Sequence, residues 1–223
     1  MTSIYLIRHA EDSNKRPESM ERITTSALAE AFIAQQVDAL RDRFAGIPID
    51  AVYSSDLDRT VATAGALLRG RELELVTTPR LREINMGVWE GEPWGNITYR
   101  WPEQMYLFNN EPERWFVPGC ESFGEVQERM TKVILELAAK HEGGTIAAVS
   151  HGMAIKIFLM GAMGVHSGEG EPMLHGDNTA VSLLEVENGR IGIRYYNDNS
   201  HLGEGLSTFA QQRWWRDTKK DDP

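Results

Sequence analysis

The segment SIYLIRHA, residues 3–10, joins a short apolar run to two chemically active side chains. Residues 3–7 have the composition of a buried strand in a parallel sheet, where both faces are covered and apolar residues run without alternation. Arg8 and His9 follow this strand without a spacer. In parallel α/β sheets, ligands bind beyond the carboxyl ends of the strands, so the sequence predicts a binding site here.

Strands and helices alternate along the rest of the chain, which favours a three-layer α/β/α fold with a mostly parallel central sheet. Asp56 is expected to cap the second helix, and Ser122 has the spacing of a capping box with Glu125. Further strands are predicted over residues 49–55, 73–77 and 145–150, helices over 25–44, 56–68, 122–140 and 151–163, and a hairpin over 179–197.

The chain of 223 residues is expected to form a single domain spanning residues 1–223. Residues 85–121 contain four tryptophans and four prolines with weak periodicity, which predicts a small cap insertion. The chain after Trp214 and Trp215 is polar, so a frayed tail is expected over about 214–223.

Composition narrows the classes of function. The net charge of −10 argues against nucleic acid as a partner, because binding to a phosphate backbone needs a cationic surface. Cys120 is the only cysteine, which excludes an intrachain disulfide and a cysteine-based zinc cluster. No signal peptide and no apolar run long enough to span a membrane is visible, so a cytoplasmic location is expected.

Polar residues at other strand ends extend the predicted site. Arg59 lies in the first turn of the helix after YSSD, and His151 lies between a buried strand and a helix. Together with Arg8 and His9 they would form an anion pocket in an otherwise acidic protein. Glu83 precedes a glycine-containing turn, and an anionic substrate beside it would favour its protonated form, which suits a general acid.

Four motifs in this order resemble the histidine phosphatase (phosphoglycerate mutase-like) superfamily, and the likeness runs from residue 4 to about residue 186. The motifs are IRHAE, YSSDLDRTVATA, LREINMGVWEG and VSHGMAI. The resemblance implies a phosphoglycerate mutase-like fold and a phosphohistidine mechanism that needs no metal or cofactor. It makes His9 the nucleophile and Glu83 the general acid and base. The phosphoryl oxygens would be held by Arg8, Arg59 and His151.

The sequence departs from the family pattern at several positions. Ala10 stands where the family usually has glycine, and Asn14, a candidate substrate contact, lies one place early. Asp12 adds negative charge near the predicted anion pocket, and Cys120 is inserted into an element that resembles Gly-Glu-Ser. The role of Asn14 and Asp12 is therefore left open.

The leading prediction is a hydrolase of a small phosphorylated metabolite. A phosphoglycerate-type mutase is the main alternative, although the cap holds only Arg100 and Arg114 as basic residues for a second phosphate. A non-catalytic phosphate-binding module and a metal-dependent hydrolase are two further alternatives. Glu83 has a structural alternative as well, a salt bridge to Arg80 or Arg82. The hairpin edge and the tail leave a homodimer open.

Overall fold

The computed structural model describes residues 1–11, 22–165 and 176–211. Its strands are β1 (Thr2–Arg8), β2 (Ala51–Ser54), β3 (Leu75–Thr77), β4 (Thr145–Ser150), β5 (Val181–Glu187) and β6 (Arg190–Asp198). Its α-helices are α1 (Arg22–Phe44), α2 (Asp58–Leu68), α3 (Trp94–Arg100), α4 (Pro102–Asn110), α5 (Phe123–Lys140), α6 (Gly152–Ala162), α7 (Gly203–Leu206) and α8 (Thr208–Gln211).

The strands form one mixed sheet in the order β3-β2-β4-β1-β5-β6. β3, β2, β4 and β1 are mutually parallel, whereas β5 and β6 continue the sheet as antiparallel neighbours. The predicted α/β fold with a mostly parallel central sheet is confirmed.

β1 is buried on both faces, as its unbroken apolar run predicts. Ile4 and Leu6 belong to a core cluster shared with α5 and α6. Ile7 belongs to a second cluster, shared with α1 and α2. The sheet therefore separates two hydrophobic cores, and helices cover both of its faces.

Parallel pairing aligns the carboxyl ends of the central strands. The register pairs Arg8 of β1 with Ser150 of β4, and the amide of His9 donates to the carbonyl of Ser150 at 3.0 Å. On the other side of β4, the amide of Ser55 donates to the carbonyl of Val149 at 2.9 Å. The first residues beyond three strands thus lie side by side at one edge of the sheet.

The two helix caps expected from the sequence have different outcomes. Ser122 caps α5 in a complete capping box, in which its side chain and that of Glu125 each accept from the other's backbone amide. The expectation for Asp56 was wrong: α2 begins after Leu57, which makes no side-chain cap. Asp56 instead accepts two hydrogen bonds from Arg82, both at 2.6 Å. Because Arg82 lies 26 residues away, the local sequence does not reveal this pairing.

The cap segment contains α3 and α4, which the weak periodicity of residues 85–121 did not predict. Trp89 and Trp115 are buried and pack with their ring centroids 5.4 Å apart and their planes tilted by 52°. Phe108 of α4 lies 5.1 Å from Trp115 and 5.6 Å from Phe123 at the start of α5. Aromatic packing therefore fixes the cap to α5 in place of an amphipathic helix face.

The predicted hairpin is confirmed. β5 and β6 are joined by Asn188 and Gly189, which have φ angles of 51° and 74°. Positive φ at both central residues is what a two-residue hairpin turn of type I′ requires.

Among the described helices, none combines the length and apolar character needed to cross a membrane.

His201 lies after β6 and makes contacts in the interior. Its Nδ1 lies 3.1 Å from Nη1 of Arg43, and its Nε2 lies 3.1 Å from Oγ1 of Thr179. Burial, and secondly the positive charge of Arg43, lowers the pKa of His201 from 6.5 to about 4. The ring is therefore neutral in the folded protein at neutral pH.

The depressed pKa of His201 predicts acid sensitivity of the fold. The unfolded ring takes up its proton near pH 6.5 and the folded ring only near pH 4. The neutral ring therefore stabilises the fold fully above about pH 6.5, and this contribution is lost as the pH falls toward 4. Thermal unfolding between about pH 7 and pH 5 should show a smaller loss of Tm in His201→Gln than in the wild type. An equal loss in both proteins would contradict this assignment.

Candidate active site

His9 is the first residue after β1, and only 5% of it is exposed. Its Nδ1 lies 2.5 Å from the carbonyl oxygen of Ala10. A carbonyl only accepts hydrogen bonds, so Nδ1 carries a proton and donates it. The lone pair of the neutral ring is therefore on Nε2, which makes Nε2 the nucleophilic nitrogen.

His151 faces His9 from the end of β4. The two ring centroids are 5.1 Å apart, and His151 is completely buried. Nε of Arg59 donates to Nδ1 of His151 at 3.2 Å. Since an arginine only donates, Nδ1 is unprotonated and the hydrogen is on Nε2, which donates to Oγ of Ser55 at 2.9 Å. Arg59 and Ser55 thus hold His151 in one neutral tautomer.

Arg8 lies beside the start of α6. Its Nη1 donates to the carbonyl of Gly176 at 2.6 Å, while its buried Nε has no acceptor in the described part of the chain. A Cβ added to Gly152 would lie 3.2 Å from that Nε, so glycine permits this close approach. Burial lowers the pKa of Arg8, and the carboxylate of Glu83 is the strongest influence opposing that effect.

Glu83 lies against the N-terminus of α6. Its Oε1 accepts from the amides of Ile84 at 3.0 Å and Ala154 at 2.8 Å, and its Oε2 accepts from the amide of Met153 at 3.1 Å. Oε1 has both lone pairs engaged, whereas Oε2 keeps one, so Oε2 is the oxygen that can carry a proton.

The structural alternative for Glu83, a salt bridge to a neighbouring arginine, is not what the structure shows. Arg80 pairs with Glu136 at 2.6 Å, and Arg82 pairs with Asp56 at 2.6 Å. The arginines on either side of Glu83 therefore pair with other carboxylates, and the carboxylate of Glu83 accepts from backbone amides at the start of α6.

Arg129 of α5 supports the backbone that carries Glu83. It donates to the carbonyls of Arg80 at 2.9 Å and Glu83 at 3.3 Å, and it forms a two-bond pair with Glu121 at 2.5 and 2.8 Å. Sequence reasoning missed Arg129 and Glu121, because their partners lie in distant segments and only the fold brings them together.

A buried polar group supports the backbone of His9 from the other side. The carbonyl of His9 accepts from Nδ2 of Asn178 at 3.0 Å, and the amide of Ala10 donates to Oγ1 of Thr63 at 2.9 Å. Oε1 of the fully buried Gln36 accepts from the amide of Glu11 at 3.0 Å. Sequence reasoning missed these residues as well; the polar run of residues 177–179 before a strand was the one available signal.

The structure thus brings together all the predicted site residues that it describes. The five converge on the N-terminus of α6; they are Arg8, His9, Arg59, Glu83 and His151. The tentative contact Asn14, the nearby Asp12 and the tail from Trp214 lie outside the described residues. No group of three or more metal-binding side chains is found within the described ranges.

Comparison with known families is decisive at this point. Residues 4–199 match the model of the histidine phosphatase superfamily, branch 1. The chain belongs to the histidine phosphatase superfamily. This confirms the resemblance seen in the four motifs.

Relatives in this superfamily carry names for two activities. The chain is 27% identical to phosphoserine phosphatase 1 of Hydrogenobacter thermophilus over 92% of this chain and 96% of that protein. It is 35% identical to the probable phosphoglycerate mutase GpmB of Yersinia pestis over 84% of this chain and 86% of that protein. Among solved structures, YhfR of Bacillus stearothermophilus matches with a TM-score of 0.76 and 25% identity, covering 90% of this chain and 99% of that one.

Ser55 was missed by sequence reasoning, and its contact with His151 yields a prediction. Ser55→Ala removes the acceptor of the His151 Nε2 proton in a fully buried place. A lost hydrogen bond of this kind should lower kcat/KM by about tenfold. Steady-state kinetics on an aryl phosphate measures the effect.

The adjacent Ser54 provides a matched control. It is also fully buried, and its Oγ has no hydrogen-bond partner within the described residues. Ser54→Ala should leave kcat/KM unchanged. Equal losses in Ser54→Ala and Ser55→Ala would show that the Ser55 hydroxyl does not act through His151.

Proposed function

We propose that the protein is a phosphomonoester hydrolase that acts on a small phosphorylated metabolite through a phosphohistidine intermediate on His9. The observation that carries the proposal is the hydrogen bond from Nδ1 of His9 to the carbonyl of Ala10, which places the lone pair on Nε2. Two arginines and a second histidine surround this ring, as an attack on a phosphate dianion requires.

The first step transfers the phosphoryl group to His9. Nε2 attacks phosphorus in line with the ester oxygen, the P–N bond forms and the P–O ester bond breaks. The bonding electrons leave with the ester oxygen, which takes a proton from Oε2 of Glu83. The carbonyl of Ala10 stabilises the positive charge that the His9 ring gains.

The second step returns the enzyme to its starting state. A water molecule attacks phosphorus, its proton passes to the carboxylate of Glu83, and the P–N bond breaks with its electrons returning to Nε2. Glu83 is then protonated again for the next substrate. The step releases inorganic phosphate and consumes one water.

Arg8, Arg59 and His151 bind the phosphoryl oxygens in this scheme, and His151 does so by exchanging the bond that its Nε2 donates to Ser55 for one to a phosphoryl oxygen. The buried Nε of Arg8 supports this role, because a buried donor without an acceptor from the described chain raises the free energy until a ligand oxygen accepts from it. The amides of Met153 and Ala154 are engaged by Glu83, so the side chains rather than the helix N-terminus receive the anion.

Phosphoglycerate-type mutase activity is the second candidate, and the similarity to GpmB favours it. Two features of the cap support hydrolysis instead. Arg100 pairs with Glu92 at 3.6 Å, and Arg114 pairs with Glu111 at 2.5 Å. The cap thus has only two basic residues, and each lies beside a glutamate, a charge balance that favours a substrate without a second phosphate. We further propose a cytoplasmic location, a small-molecule phosphomonoester as ligand with no nucleic-acid or membrane partner, and a homodimer.

Replacement of the nucleophile provides the first test. The wild type should hydrolyse p-nitrophenyl phosphate and form an acid-labile phosphoryl adduct detectable by intact-protein mass spectrometry, whereas His9→Ala should lose both. His141→Gln is the matched control, since His141 lies before the start of β4 and the site lies beyond its end. The six residues of β4 separate the two by about 20 Å. Absence of turnover and of the adduct in folded wild-type protein would favour a non-catalytic phosphate-binding module.

Products from 3-phosphoglycerate separate the two candidate activities in the same samples. A hydrolase releases inorganic phosphate, whereas a mutase returns the phosphoryl group and forms the 2-phospho isomer. Net isomerisation without phosphate release would assign the mutase activity. Activity lost with a chelator and restored by a divalent metal would instead support the metal-dependent alternative.

The acid role of Glu83 predicts a dependence on the leaving group. Glu83→Gln keeps an acceptor oxygen for the α6 amides but removes the proton that Oε2 supplies. The rate should fall by about a hundredfold or more with alkyl phosphates and much less with p-nitrophenyl phosphate, whose leaving group needs no proton. Presteady-state kinetics of phosphoryl transfer measures both rates, and equal losses on both substrates would contradict the acid role.

A further inference from the structure

Two donors converge on the main-chain carbonyl of the nucleophile. Nδ2 of Asn178 donates to the carbonyl of His9 at 3.0 Å, and the amide of Thr179 donates to it at 3.3 Å. Asn178 and Thr179 are both buried, so these bonds are shielded from water. The position of the His9 backbone therefore depends on the conformation of residues 178–179.

Thr179 has an unfavourable backbone conformation. Its φ angle is 58°, in the left-handed region that β-branched residues rarely occupy. Such strain persists only where surrounding contacts stabilise it, and it is concentrated near functional sites. The contacts that hold Thr179 are therefore of interest for the mechanism.

His201 holds the side chain of Thr179. Nη1 of Arg43 lies 3.1 Å from Nδ1 of His201, and because a guanidinium only donates, Nδ1 is the acceptor. The hydrogen of the neutral ring is then on Nε2, which donates to Oγ1 of Thr179 at 3.1 Å. Arg43 thus sets the tautomer of His201 in the same way that Arg59 sets the tautomer of His151.

Arg43 belongs to α1, and its side chain is held by Asp198 at the end of β6. It donates to a carboxylate oxygen of Asp198 at 2.7 Å and to the carbonyl of the same residue at 3.2 Å. The charged groups that influence His201 are Arg43, Asp198 and Asp177. Burial, and secondly Arg43, lowers the pKa of His201 to about 4, whereas Asp198 and Asp177 oppose that effect, so the ring stays neutral and can accept from Arg43.

We propose that His201 is a positioning residue for the nucleophile. Its ring holds Thr179 in the left-handed conformation, so that the amides of Thr179 and Asn178 fix the carbonyl of His9. The inference rests on the proposed role of His9, but it assigns a function to a residue that touches neither the substrate nor the reacting atoms.

The geometry explains why the effect should appear in kcat. The carbonyl of His9 and the Nδ1 bond to Ala10 together orient the imidazole ring, so loss of one support turns Nε2 away from the line of attack on phosphorus. Misplacement of a reacting group by about 1 Å can cost about a hundredfold in rate. Substrate binding by Arg8 and Arg59 does not involve Thr179 and should be unaffected.

Two substitutions of His201 separate its contacts. Gln places an amide N–H near the position of Nε2 and keeps the bond to Thr179, whereas Asn keeps an acceptor near Nδ1 for Arg43 but does not reach Thr179. His201→Asn should lower kcat by between about tenfold and a hundredfold. Its KM should stay within about twofold of the wild-type value, and His201→Gln should retain most of kcat.

A double-mutant cycle with Thr179→Gly tests whether His201 acts through Thr179. Glycine adopts positive φ without strain and has no hydroxyl to hold, so His201→Asn should have little further effect on kcat in that background. An equal kcat loss in both backgrounds would overturn the proposal. Thermal unfolding of each variant verifies that the measured samples are folded.

A readout without turnover distinguishes this inference from the proposed function. Nitrogen NMR of the His9 ring reports its tautomer and the exchange between conformations. His201→Asn should broaden or shift the His9 signals, and Thr179→Gly should make them insensitive to position 201. Unchanged His9 signals in His201→Asn would overturn the positioning role even if the wild type proves inactive, whereas the shift without any phosphoryl transfer would overturn only the proposed function.

Discussion

The site depends on the parallel pairing of β1 with β4. The register that pairs Arg8 with Ser150 brings the residues after each strand, His9 and His151, to a ring separation of 5.1 Å. A shift of one residue would turn the side chains of β1 to opposite faces of the sheet, and Ile7 would exchange hydrophobic cores. The two cores therefore select the register, and the register assembles the site.

The N-terminus of α6 has a different role from the one that its position suggests. Free amides at a helix start favour anions, and His151 lies at the start of this helix. In the structure Glu83 already accepts from the amides of Met153 and Ala154. These two amides are therefore engaged by a carboxylate of the chain itself, and the helix fixes the group to which we assign proton transfer.

Local sequence predicted what depends on short-range pattern and on strand ends. Arg8, His9, Arg59 and His151 were found because they lie at a strand end or in the first turn of a helix. Glu83 was found from the glycine-containing turn that follows it, and Ser122 caps its helix as its spacing indicates. Asp56 was misassigned, because its partner Arg82 lies 26 residues away and competes for the carboxylate. Arg129 and Asn178 were missed for the same reason, since long-range hydrogen bonds leave no periodic signal.

Net charge and local charge are separate properties in this protein. The chain carries −10 overall, yet two arginines and two histidines line one sheet edge. Burial lowers the pKa of Arg8, and the carboxylates of Glu83, Asp177 and Glu11 oppose that effect. The acidic neighbours thus favour the charged form of a guanidinium that is removed from water. Acidic residues beside Arg8 are then compatible with the anion site that we propose, which reconciles an acidic protein with the proposed phosphorylated ligand.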